Sequence, residues 1–343
     1  MRIGKQRVTA AEVARRAGVS QPTVSLILSR NPKARVAPDT RERVLRIAEE
    51  IGYRPNRLAQ GLVRRRSFAI GVIVPGFDNP FYVSVLSGAE RVAAEAGYAV
   101  LFCEAGHVGV VQHLEALRDR QIDGVIIAGI AASTLPARAL DDLNVVLINQ
   151  PSGRFPTVAG DSLKAGELAA EHFLSLGHRR IAFVGPATSI PAYRFRERGF
   201  VQTLRAAGVS MPSDFLRRAD ATIAGGFSAM RALLAMSDHP TAVFCANDLI
   251  ALGAHKACGV AGVQLPRYVS LLGCDDIEMD TLVTPELSTI NVPTRELGAR
   301  AVRLLLRQIE REQAGPPSQQ LLPVRLVVRG TTGPVNTRAG GAR

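Results

Sequence analysis

From Phe68 onward, short apolar runs alternate with stretches in which apolar residues recur every three to four positions. The runs FAIGVIV (68–74), YAVLFC (98–103), DGVIIAG (123–129), NVVLIN (144–149), RIAFVG (180–185), TAVFCAN (241–247), VSLLGCD (269–275) and LPVRLVV (322–328) predict strands. Stretches such as Val83–Ala96 and Leu163–Leu176 predict the helices between them. Strand–helix alternation builds parallel sheets with helices on both faces, and about 270 residues suffice for two such sheets, hence two lobes.

The first fifth of the chain has a different pattern. TAAE at Thr9–Glu12 fits a capping box, in which the Thr9 hydroxyl takes the Glu12 N–H and the Glu12 carboxylate reaches back. A helix over Ala10–Ala17, with Val13 and Ala14 inward, ends at Gly18, which tolerates the left-handed turn. A second helix starts at Ser20 or Gln21 and runs to about Ser29, with Val24, Ile27 and Leu28 on one face. Pro22 falls in its first turn and Leu26 on the face that should be wet. Pro38–Ile51 predicts a third helix with Val44, Ile47, Ala48 and Ile51 at core spacing. Two short helices joined by a tight turn have the shape of a helix-turn-helix.

Charge sharpens this picture. Residues 1–66 hold 16 Lys/Arg against 5 Asp/Glu, a balance of +11, while the remaining residues hold 26 against 25. A basic excess so concentrated is the footprint of a polyanion, nucleic acid above all. Hydrophobic content of 47% describes a globular protein. No uninterrupted apolar run approaches the roughly 18 residues of a membrane span, and no apolar segment follows the N-terminal charges as in a secretory signal. A cytoplasmic protein with no membrane partner is expected. Cys103, Cys245, Cys258 and Cys274 are widely spaced, without CxxC or a histidine cluster. They are expected as free thiols, with no disulfide, metal or cofactor.

The segments VTAAEVARRAGVSQPTVSLIL and VAPDTRERVLRIAEEIGYRPNRLAQGL resemble the DNA-binding head and hinge of the LacI/GalR family of bacterial transcription regulators. The resemblance continues in order through IGVIVPGFDNPFY, IDGVII, LGHRRIAFVG, RERGF, ANDLIALGA, VSLLGCDD and LSTINVP. It implies a two-lobed α/β core like that of periplasmic binding proteins, two parallel doubly wound sheets, behind an all-α helix-turn-helix head. The implied organisation is a head over 1–55, a hinge helix and linker over 56–67, one lobe from 68–161 plus 292–322, the other from 162–291 plus 323–331, and a flexible tail over 332–343. The chain would cross between lobes near Asp161, Asn291 and Leu322.

The resemblance also assigns DNA contacts to Thr9, Ser20, Gln21, Pro22, Thr23, Ser25, Leu26, Ser29 and Tyr53 in the head, and to Asn56 and Arg57 beyond it. Leu62 would be a minor-groove wedge, an apolar group that unstacks a base step and bends the duplex. Three positions depart from the family's pattern: Leu26, where Arg is common, Ala37, where a Ser caps the third helix, and Ser29, where Asn is frequent.

In open parallel sheets, ligands bind beyond the carboxyl ends of the strands. Those ends carry Phe81 and Tyr82, Asn149, Asn247 and Asp275. By resemblance, Arg196 and Asp275 are paired anchors of an effector cleft to which Asn149 and Asn247 add hydrogen bonds. A guanidinium fork and a carboxylate suit vicinal hydroxyls, and so a carbohydrate. The usual stacking aromatic near Ala221 is missing.

No GxSxG, P-loop, HExxH or Gly-rich dinucleotide loop appears, and no catalytic residue is assigned. The expected protein is no enzyme. It is a repressor, a homodimer on a palindromic operator, controlled by a small polar effector, a sugar or sugar derivative. An activator or corepressor-type regulator answering to a nucleoside or other metabolite is the alternative, and a solute-binding protein a remote one. The tail after Arg329 has no leucine heptads to build a tetramer.

Overall fold

The computed structural model describes residues 8–28, 36–53, 66–136, 138–310 and 317–336. They divide after Phe68 into two compact units. In the first, α1 (Ala10–Ala17), α2 (Gln21–Leu28) and α3 (Pro38–Glu50) enclose Val13, Ala17, Val24, Ile27, Val44 and Ile47. Thr9 Oγ1 accepts the Glu12 N–H at 3.4 Å to start α1. The reciprocal half of the expected capping box does not form. Instead the Glu12 carboxylate turns to Arg15 (2.6 Å) and Arg16 (2.8 Å), whose hydrogen bonds hold it down at about 2. Two charge-assisted bonds outweigh one backbone N–H. Gly18 closes α1 at φ +64°. Ala37 leaves α3 without a side-chain cap, and Pro38 occupies the first turn, where a missing N–H loses nothing.

The second unit holds two six-stranded sheets. The first has the order β11-β5-β4-β3-β1-β2 and is parallel throughout. Its strands are β1 (Ala69–Val74), β2 (Ala99–Glu104), β3 (Gly124–Ala128), β4 (Val145–Ile148), β5 (Thr157–Gly160) and β11 (Gln319–Leu322). The second has the order β12-β10-β9-β8-β6-β7, built from β6 (Ile181–Gly185), β7 (Leu216–Arg218), β8 (Ala242–Cys245), β9 (Ser270–Asp275), β10 (Ser288–Asn291) and β12 (Arg325–Val327). Only β12 runs antiparallel, against β10. Central strands such as Val125–Ala128 are buried along their whole length, which explains their unbroken apolar sequence.

The helices of this unit are α4 (Pro80–Glu95), α5 (Ala105–Val108), α6 (Val110–Asp119), α7 (Ser162–Ser175), α8 (Pro191–Ala206), α9 (Ile223–Leu234), α10 (Asp248–Val260) and α11 (Thr294–Ile309). α4 begins three residues before its apolar periodicity, because Asn79 caps the Phe81 N–H at 2.9 Å and Pro80 supplies the first turn. The chain passes from the first sheet to the second after β5 and returns after β10. It passes over a third time between β11 and β12.

Three expectations change. The run LPVRLVV is two strands, since Leu322 ends β11 and Pro323, lacking an N–H, cannot continue a ladder. β5, β7, β10 and β11 escaped the reading because they are short and carry polar residues. Residues 332–336 are docked, not a free tail: Gly333 O accepts from His178 Nε2 at 3.0 Å, and the Val335 N–H donates to Leu176 O at 2.9 Å. All four cysteines are free, with Cys258 on α10 and the others in strands.

Candidate functional site

The first unit presents α2 as a surface. Ser20 Oγ accepts the Thr23 N–H at 3.3 Å and lies 2.8 Å from Thr23 Oγ1, so both hydroxyls serve the helix start. Val24 and Ile27 are buried, whereas Gln21, Pro22, Ser25 and Leu26 lie on the exposed side. Leu26 remains 38% exposed, the apolar group on a wet face that its position in the sequence predicts. Tyr53 packs partly buried against the helical core, and its N–H donates to Ala48 O at 2.8 Å. Ser29, Asn56, Arg57, Leu62 and the expected hinge helix lie outside the described residues.

In the second unit, α8 carries Arg196 inward. α8 lies tightly against α7, where a side chain on Gly166 would collide with the Arg196 carbonyl. Arg196 is 4% exposed and donates through Nη1 to Ala246 O. Its Nη2 lies 3.7 Å from Asp275 Oδ1, and among the described residues its Nε has no hydrogen-bond partner. Asp275 ends β9 at φ +142° and is 6% exposed. Burial pushes its carboxyl up, and the Arg196 guanidinium pulls it back.

Two tyrosines complete the cluster. Tyr193, one turn before Arg196 on α8, has its ring 5.9 Å from the guanidinium, and burial pushes its hydroxyl up to about 12. Asn247 donates from Nδ2 to Tyr193 Oη at 3.3 Å, while its Oδ1 caps α10 through the Ile250 N–H at 2.9 Å. From the other lobe, Tyr82 comes within electrostatic reach of Tyr193, Asp275 and Arg196, and burial raises its hydroxyl. Its Oη sits where a side chain on Gly129 (φ +66°) would stand. Phe81 is buried edge-on against Tyr82 with ring centroids 5.2 Å apart.

Of the six expected cleft residues, Tyr82, Arg196, Asn247 and Asp275 therefore converge from both lobes. Phe81 supports Tyr82 from behind. Asn149, at φ +60°, accepts the Gly160 N–H at 3.0 Å and lines a cavity of about 350 Å³ with Ser162, Ala192, Phe195 and Arg198. Sequence reasoning missed Tyr193, although its place three residues before Arg196 on one helix was a usable signal. Among the described residues no group of His, Cys, Asp and Glu could hold a metal ion, and no helix is long and apolar enough to cross a membrane.

Comparison with known proteins fits this geometry. Residues 9–56 match the family described as bacterial regulatory proteins, lacI family, and residues 170–332 match a periplasmic binding protein-like domain. The chain is 35% identical to the HTH-type transcriptional repressor CytR of Escherichia coli strain K12, covering 97% of this chain and 99% of that protein. It resembles the structure of the lac repressor dimer bound to operator and the anti-inducer ONPF, with 30% identity, a TM-score of 0.81, and 96% and 100% of the two chains covered. It also resembles a complex of the transcriptional regulator CelR with cellobiose, with 28% identity, a TM-score of 0.73, and 95% and 100% covered.

Proposed function

Since the chain belongs to the lacI family of bacterial regulatory proteins, we propose that it is a cytoplasmic transcriptional repressor and not an enzyme. It binds a palindromic operator as a homodimer, one head reading each half-site. It answers to a small polar effector, a sugar or sugar derivative, held between the lobes by Arg196, Asp275, Tyr82 and Tyr193.

The observation that carries the effector reading is the buried Arg196–Asp275 pair, with an Nε unpartnered among the described residues and a tyrosine from the opposite lobe within electrostatic reach. A ligand touching both lobes favours their closed arrangement over the open one, and that difference in affinity is what can alter operator binding. The hydroxyls of a sugar can bridge guanidinium and carboxylate together.

On α2, Gln21 is the residue suited to a bidentate pair with adenine, and Pro22 and Leu26 offer apolar contact to thymine methyl groups. The concentrated positive charge of residues 1–66 supplies the sequence-independent part of the affinity.

A thermal-shift screen of sugars, sugar acids, polyols and nucleosides against the purified protein tests the effector reading. A hit should lose its effect in Asp275→Asn. A screen whose hits bind Asp275→Asn and Arg196→Lys as well as the parent would remove these residues from the site.

A further inference from the structure

Asp280 lies in the 3₁₀ turn Glu278–Thr281, just beyond β9, and is fully buried. Among the described residues no N–H or hydroxyl group reaches either of its carboxyl oxygens. After burial, the strongest influence on it is another carboxyl, that of Asp248 at the start of α10. Asp248 is equally buried but already receives three donors: Thr289 Oγ1 at 2.7 Å, the Asp276 N–H at 2.6 Å and the Ile277 N–H at 3.2 Å. Two neighbouring carboxyls, both fully buried, cannot both ionise. The three donors make Asp248 the anion, so the proton belongs to Asp280.

The surrounding charges agree. Burial and the Asp248 charge push Asp280 up to about 10, and Asp275 on β9 acts in the same direction. Arg329, beyond β12, opposes them but is engaged by Asp276 Oδ1 at 2.6 Å and by the Leu287 carbonyl at 2.8 Å. The Cys274 thiol nearby is raised by burial and so stays neutral.

The pair sits under the loop that matters most for the cleft. Asp275 and Asp276 both have positive φ, +142° and +62°, a region that residues with side chains seldom adopt. The two N–H groups that hold the loop there, those of Asp276 and Ile277, both end on Asp248. We propose that Asp280 is a positioning residue: it remains a neutral acid, donates its proton to Asp248, and so fixes the loop that presents Asp275 to the cleft. The consequence for effector binding rests on the function proposed above, whereas the proton and the loop can be tested with no effector present.

Three measurements on the full-length protein decide it. An acid that keeps its proton when folded and loses it when unfolded makes the fold lose stability as pH rises between the two pKa values. Asp280→Asn donates a similar hydrogen bond without titrating. Its melting temperature should therefore gain on that of the parent by several degrees from roughly pH 5 to roughly pH 9, and a gap that does not change with pH overturns the neutral acid. At about pH 8 the parent should show the infrared carbonyl band of a protonated carboxyl that Asp280→Asn lacks, and identical spectra would overturn it too. Hydrogen exchange over residues 275–282 should be at least about tenfold faster in Asp280→Ala and close to the parent rate in Asp280→Asn. Equal protection in all three proteins overturns the positioning role, and should Asp280→Ala not fold, a rate in Asp280→Asn as fast as in an unprotected segment does the same.

Discussion

Removing the Asp275 carboxylate separates two roles that the cleft combines. Arg196 and Asp275 lie 3.7 Å apart and are nearly excluded from solvent. With the carboxyl ionised, two unit charges at that distance attract by about 4 kcal/mol at an effective dielectric of about 20, which opposes the burial that raises the Asp275 carboxyl. Against this stands the cost of burying both, so the pair as a whole adds little net stability. Breaking it is another matter. Asp275→Ala leaves the guanidinium buried with the Ala246 carbonyl as its hydrogen-bond acceptor, and an uncompensated charge of this kind costs about 3–5 kcal/mol. Urea denaturation followed by circular dichroism should show that loss. The double variant Arg196→Leu with Asp275→Leu should recover most of it, because apolar residues of similar volume commonly replace a buried ion pair without penalty. Effector binding, measured by calorimetry, should be lost in the single and the double variant alike. If Asp275→Ala stays within about 0.5 kcal/mol of the parent, as surface substitutions do, the carboxylate is solvated and the reasoning fails.

Further outcomes follow from other parts of the molecule. Leu26→Arg should shift operator preference toward guanine at one base pair per half-site, by about 1–3 kcal/mol, in competition binding with paired operators. Gly129→Ala places a side chain at φ +66° against Tyr82 Oη, costs about 1–2 kcal/mol of backbone strain, and should weaken effector affinity by displacing the tyrosine, as read by calorimetry. His178 is held low by burial, so the unfolded chain takes up the proton first as pH falls. The parent should then lose stability relative to His178→Gln as pH drops below about 6.5, measured by thermal unfolding, and a constant difference would contradict the assignment.

The parts of the fold legible in the sequence were those whose residues obey one simple period. The central strands of both sheets are buried on both faces and read as unbroken apolar runs, the head helices carry core spacing, and α1 and α2 carry clear N-terminal caps. β7, with the sequence LRR, and β11, with QQLL, are edge strands set by their neighbours, and nothing in their own residues announces them. Arg196 and Asp275 could be singled out through the resemblance, with Asp275 also standing at a strand end. Tyr193 was hidden by its own plausibility as a core aromatic. Asn149 stands at a strand end like a ligand-binding amide, and its positive φ and the bond from the Gly160 N–H add a backbone task that its sequence position does not show. Asp280 was equally invisible, since its proton depends on Asp248, 32 positions earlier in the chain.

The central claim is that the protein reads a specific palindrome through α2 and releases or tightens on it when the cleft fills. Selection of binding sites from random duplex DNA with the purified full-length protein, repeated with the effector found by screening, tests that claim most directly. The account predicts one enriched palindrome, with A·T pairs opposite Gln21, Pro22 and Leu26, whose recovery changes by at least about tenfold when effector is added. Enrichment of no palindrome, or of one whose recovery is unaffected by any effector that binds the cleft, would contradict it.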